Sequence, residues 1–196
     1  MTWSDTIQEQ FDLINRSTTD ESEYYGPYNT LLTDVFPHSE HYQIAPQFKG
    51  PMTPGFVYFT TIYIVRKYNR PVMFIQIKTS ISLNDKGTRE LADRQMRDRF
   101  DHLIDSLSIP FLYGLSVMGS RYAVYKYEKD SRRLTPTAIP RDPEFVNDVA
   151  PAERWEHELM EPEGEQAFRT IVQHVKSMCA AITGRKSHRL FLKLGH

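Results

Sequence analysis

The rhythm of apolar and polar positions changes along the chain, and the changes mark its elements. Positions 71–80 read Pro-Val-Met-Phe-Ile-Gln-Ile-Lys-Thr-Ser. The β-branched and aromatic run is too short for a typical helix, and proline fits a strand's first residue, where no ladder donor is needed. Alternation puts Val72, Phe74, Gln76 and Lys78 on one face and Met73, Ile75 and Ile77 on the other. Residues 56–65 form a second such run, and the polar Lys67-Tyr68-Asn69-Arg70 turns the chain between them, which predicts an antiparallel hairpin. A shorter strand is expected at 41–48, before a connection rich in Gly and Pro at 50–55.

Helices surround these strands. Ser4 or Asp5 can cap a first helix reaching about Asn15. A second begins near 21–24, is interrupted by Gly26-Pro27, and buries Leu31, Leu32, Val35 and Phe36. Asn84-Asp85 opens a long helix from 86 to about 107, with Ala92, Met96, Phe100, Leu103 and Leu107 on one stripe and Thr88, Gln95 and Arg99 beside it. Ile109-Pro110 stops it, and strands at 111–117 and 121–127 flank the turn Met118-Gly119-Ser120. A final helix at 163–182 carries Phe168, Ile171, Val172, Val175, Met178, Cys179 and Ile182 on one face, and Gly184 closes it. Residues 134–161, with four prolines, are expected to be irregular and to cover the domain.

This order predicts an α/β (α+β) chain with a mixed central β-sheet flanked by helices, in one domain over 1–196. Lys and Arg number 24 against 25 Asp and Glu, so net charge decides little about partners. The distribution is uneven: residues 1–40 hold eight acids against Arg16, and the tail 184–196 holds four basic residues and no acid. Such ends can pair with each other or touch a polyanion, or the tail can simply be solvated. One cysteine excludes a disulfide framework and a Cys-cluster zinc site. No signal-peptide pattern and no membrane-length apolar run is visible, so the expectation is an intracellular protein, cytoplasmic or nuclear, with no membrane contact.

Chemistry is hinted at where the central strand ends. Gln76 and Lys78 point the same way, and burying them is costly unless partners are supplied. One reading has Lys78 snorkelling and Gln76 bonded to a neighbour; the other makes them a site. The order of elements around them resembles the PD-(D/E)XK nuclease-like superfamily, with its restriction-endonuclease-like core, over residues 21–127. Members place an acid on the second strand and an acid-x-Lys pair on the third, which hold a divalent metal and aim a water at phosphate. Here Lys78 falls on the motif lysine and Gln76 on the acidic position, while the motif Asp would fall near Tyr58. No carboxylate occurs between 56 and 70. Glu23 stands where some members place an additional acid, and Gln95 where some have a polar residue on the crossover helix. Residues 24–36 and 92–100 also resemble uncharacterised proteins of mushroom-forming fungi, in which the strand often reads Phe-Ile-Glu-Val-Lys.

The resemblance implies a metal-dependent nuclease, whereas the departures imply a weakened one, since Mg²⁺ prefers hard oxygen ligands with one or two carboxylates. Three readings follow. The first is a catalytically impaired PD-(D/E)XK-like domain binding nucleic acid or a protein. The second is an active Mg²⁺ nuclease with migrated acids, with Glu23, Glu40 and Asp85 as candidates. The third is an interaction protein with no site at Lys78. For nucleic-acid contact the candidates are Lys78, Arg99, Arg121 and Lys126, the last two interleaved with Tyr122, Tyr125 and Tyr127, rings that suit base stacking or strand packing. His38-Ser39-Glu40-His41 and the Asp98/His102 pair read as surface features, and no phosphate-cradling Gly-rich loop or dinucleotide fingerprint is present.

Overall fold

A computed structural model describes residues 2–49 and 60–182. Their architecture is α+β, with a mixed seven-stranded sheet and four α-helices. In chain order these are α1 (Asp5–Asp12), α2 (Tyr25–Val35), β1 (Tyr42–Lys49), β2 (Thr60–Lys67), β3 (Arg70–Lys78), α3 (Lys86–Leu103), β4 (Phe111–Met118), β5 (Arg121–Glu128), β6 (Arg133–Thr135), β7 (His157–Glu158) and α4 (Pro162–Ile182). The sheet runs β1-β2-β3-β4-β5-β6, with β7 also on β5. Every pairing is antiparallel except β3 with β4, which α3 joins as a crossover.

β3 is buried from Pro71 to Lys78, as a strand covered on both faces must be. On one face α3 packs against it: the Phe74 and Phe100 rings lie 4.9 Å apart edge to face. A Cβ on Gly114, the β4 partner of Phe74, would come within 2.6 Å of the Phe74 ring and 2.8 Å of the Met96 methyl, so glycine there admits the helix. The opposite face is covered by α2 and α4. Tyr63 donates to the Tyr25 carbonyl, and the Tyr113 hydroxyl meets His174 Nδ1 at 2.8 Å. The β2–β3 hairpin turns on Tyr68 and Asn69, both with positive φ, as tight two-residue hairpins require.

The expected elements are present with shifted ends. α1 stops at Asp12 because the Asn15 side chain accepts from the Ser17 N–H and closes a turn of its own. α2 starts at Tyr25, directly after a 3-10 turn at Glu21–Tyr24, and Pro27 sits in its first turn, where a missing N–H costs nothing. α3 tightens into a 3-10 turn, Ile104–Ser106, before Pro110. The covering segment contributes β6 and β7, two short strands whose pairing with β5 depends on tertiary contact rather than on local pattern.

That segment is fastened to α3 by charged groups. Arg89 donates to the Ala150 carbonyl, the Leu83 carbonyl and the Asp148 carboxylate. Asp93 accepts from Arg97, from Arg154 at 2.7 Å and from the Tyr125 hydroxyl at 2.7 Å, and Trp155 is fully buried behind them.

Candidate functional site

Gln76 and Lys78 sit at the end of β3 on the face that α3 covers. Gln76 is fully buried, and its Nε2 donates to Gln95 Oε1 at 2.6 Å. Helical spacing explains the meeting, because Gln95 lies three residues beyond Ala92 and four before Arg99, on the edge of the stripe that faces the sheet. Register sets Gln76 beside Ile62 of β2 on one side and Ser116 of β4 on the other, with Gln47 of β1 beyond Ile62. Gln47, Ile62, Gln76 and Ser116 therefore form a row across four strands. Within it Gln76 Oε1 and Ser116 Oγ are buried without a hydrogen-bond partner among the described residues. Each such group costs about 1–3 kcal/mol of desolvation.

Lys78 is 6% exposed, and its Nζ lies 3.2 Å from Glu21 Oε1. Glu21 reaches it from the 3-10 turn before α2, which Asp20 caps by accepting from the Ser22 N–H. Burial raises the Glu21 pKa, and the neighbouring ammonium partly offsets the rise. The strand end itself is held by backbone. The Gly119 N–H donates to the Lys78 carbonyl and Tyr28 donates to the Gly119 carbonyl, while Tyr24 and Ser80 share a hydrogen bond at 2.7 Å. Gly119 has φ +70, and a Cβ there would strike Ser80 Oγ at 1.9 Å.

Arg99, one turn beyond Gln95 on α3, reaches across to β1. Its Nη1 donates to Gln47 Oε1 at 3.3 Å, and burial lowers its pKa.

The remaining candidates lie apart from Lys78. Glu23 accepts from Thr18 Oγ1 at 2.7 Å, Asp85 caps α3 through the Thr88 N–H and hydroxyl, and Glu40 pairs with Lys176 at 3.0 Å. Of the acids before the hairpin, Glu21 is thus the one that meets the lysine. A 3-10 turn advances each residue by about 120°, so two positions separate the faces of Glu21 and Glu23. The Tyr58 position lies outside the described residues, and the β2 residue opposite Gln76 is Ile62. Arg121 is exposed at the start of β5, and Lys126 lies over the Phe111 ring at 3.9 Å.

The tyrosines beside them do not form a stacking surface. Tyr122, Tyr125 and Tyr127 are buried, and the first two spend their hydroxyls on the Gly164 carbonyl and on Asp93. His41 stacks on Tyr68, and His102 Nδ1 meets the Asp98 backbone carbonyl rather than its carboxylate.

In chemical terms the end of the sheet collects, among the described residues, two cations, one carboxylate, three amides and a hydroxyl. This donor set does not suit Mg²⁺: its one carboxylate is engaged by Lys78, and the groups beside it are neutral amides and a hydroxyl. Among the described residues no group of three or more His, Cys, Asp and Glu could hold a metal ion, and no helix is long and apolar enough to cross a membrane. Ammonium, guanidinium and amide N–H groups are instead the donors that oxyanions accept.

Comparison with protein-family models, with curated proteins and with solved structures found no match. The fold defines the class: an α+β protein with a mixed sheet, a buried polar row under its crossover helix, and a C-terminal helix on the other face.

Proposed function

We propose that this chain is an intracellular, catalytically impaired PD-(D/E)XK-like domain that binds nucleic acid through the α3 face of β3. The observation that carries the reading is the pair of side chains at the end of β3. Lys78 occupies the motif lysine position beside a single carboxylate, and Gln76, locked to Gln95, fills the acidic position with a neutral amide. A site without two carboxylates has little charge to hold Mg²⁺ or to lower the pKa of a bound water. It keeps the cation that attracts a phosphodiester.

The test is binding of labelled single- and double-stranded DNA and RNA, followed by anisotropy in low and moderate salt, for the parent and Lys78→Ala. The expected result is salt-sensitive binding that weakens in the variant, with no cleavage on adding Mg²⁺ or Mn²⁺. Equal binding by both proteins would remove the site from Lys78.

One observation favours a second reading, an active nuclease with a migrated acid: Glu21 supplies a carboxylate 3.2 Å from Lys78. Metal-dependent cleavage lost in both Glu21→Gln and Lys78→Ala would establish it. A third reading, an interaction protein that uses neither residue, predicts that Lys78→Met leaves all binding unchanged.

A further inference from the structure

We infer that Arg99 and Gln47 form a second oxyanion-binding site, one that takes a phosphate group between α3 and β1. The other buried cations of the described residues each have an acid. Lys78 has Glu21, Arg89 has Asp148, and Arg154 has Asp93. Arg99 is 8% exposed, yet among the described residues its acceptor is the neutral Gln47 Oε1 at 3.3 Å, and it has no carboxylate within ion-pair distance. Residue 1, residues 50–59 and residues 183–196 contain no Asp or Glu side chain.

A largely buried guanidinium whose bond among the described residues is one long contact to a neutral acceptor is poorly compensated, because withdrawing a charge from water costs more than a single amide oxygen returns. An oxyanion compensates it. The guanidinium presents five N–H donors in a planar fork that matches two phosphate oxygens, and Gln47 Nε2 adds a neutral donor beside it. Phosphate suits the position better than a metal or an apolar group, since every side-chain donor there is N–H and the neighbouring strand residue, Ile62, contributes no competing charge.

Two sources can present this chemistry: a free phosphate or phosphomonoester, and the phosphodiester of a nucleic acid. In the second case Arg99 adds to the proposed Lys78 surface, on the same face of the sheet.

The experiment is calorimetric titration of the full chain with inorganic phosphate, with chloride at matched ionic strength as control, on the parent, Arg99→Met and Arg99→Lys. The parent is expected to bind phosphate. Arg99→Met should weaken binding about ten- to a hundredfold, the loss of charge-assisted hydrogen bonds. Arg99→Lys should bind at an intermediate strength, because it keeps the charge and loses the fork. No phosphate response in the parent, or an equal response in parent and Arg99→Met, overturns the site. Should Arg99→Met fail to fold, Arg99→Lys decides: a weakened response supports the site and an unchanged one overturns it.

A short labelled oligonucleotide, run in parallel, separates the sources. Phosphate binding with oligonucleotide binding, both reduced in Arg99→Met, assigns the phosphodiester. Phosphate binding without oligonucleotide binding assigns the free phosphate and defeats only the nucleic-acid reading of Lys78.

Discussion

Lys78 and Glu21, separated by 57 positions in sequence, meet at 3.2 Å where β3 ends, and the two are not equivalent partners. The lysine side chain is 7% exposed and the glutamate 23%, so removing the glutamate strands the more deeply buried charge. Glu21→Gln is expected to destabilise the protein by about 1–3 kcal/mol. Lys78→Met should cost less, and the double variant should lie close to Lys78→Met alone. Urea unfolding of the four proteins gives the coupling energy, and strictly additive losses would show that the pair does not interact.

Gln76 and Ile62 face each other across the hairpin, on the face of the sheet that α3 covers. Ile62→Asp with Gln76→Glu is expected to give a protein less stable without metal, from two buried carboxylates, and stabilised by Mg²⁺ or Mn²⁺. The parent's melting temperature should not respond to either ion. Thermal melts with and without metal check this, and a flat response in the double variant would place the metal geometry elsewhere or nowhere.

Asp93 is the hub between α3 and the covering segment, receiving two arginines and a tyrosine. Asp93→Asn leaves two guanidinium groups facing each other with no counter-charge. It should destabilise the protein by about 3–5 kcal/mol. Because Arg154 then loses its tie to α3, the segment around 136–150 should be cut faster by limited proteolysis than any other described region. Equal protection of parent and variant would argue that Trp155 alone seats the segment.

Burial raises the pKa of Tyr28, Tyr122 and Tyr125 above the ordinary value of 10.0. The sign follows from linkage. In the unfolded chain these phenols lose protons near pH 10 while in the folded chain they keep them, so their contribution is fully present below that pH and is lost as pH rises toward their folded values. Stability should therefore fall above about pH 10, with phenolate absorbance from these residues appearing together with unfolding rather than before it. Tyr122→Phe and Tyr125→Phe should each soften the alkaline slope while lowering stability at neutral pH by about 1 kcal/mol for the lost hydrogen bond.

Much of the sheet was legible because its signals are local. The alternation in 71–78 and the turn at Tyr68-Asn69 define β3 and its hairpin without reference to anything distant. The Gln76–Gln95 contact was within reach too, since strand parity and helix periodicity each aim one side chain inward. Glu21 was not. Choosing it over Glu23 requires knowing that residues 21–24 wind as a 3-10 turn, and that turn is set by the Asp20 cap and by the packing of Tyr24. The pairing of β6 and β7 with β5 was equally hidden, because a three-residue and a two-residue strand carry no period. The tyrosines of β5 misled in the other direction: aromatic residues between basic ones look the same in sequence whether the rings face solvent or core.

Gln76 differs from a glutamate by one terminal group, NH₂ in place of O⁻. A glutamate at this position could keep the contact with Gln95 by turning that amide around, so that its Nε2 donates instead of its Oε1 accepting. The backbone, the register with Ile62 and Ser116, and the packing under α3 would all be retained. The contacts would thus survive the change, and what opposes it is the burial of a charge with no cation beside it among the described residues. In evolutionary terms, a lineage with this strand can gain or lose an acid there by a single codon change, at a cost in stability rather than in fold.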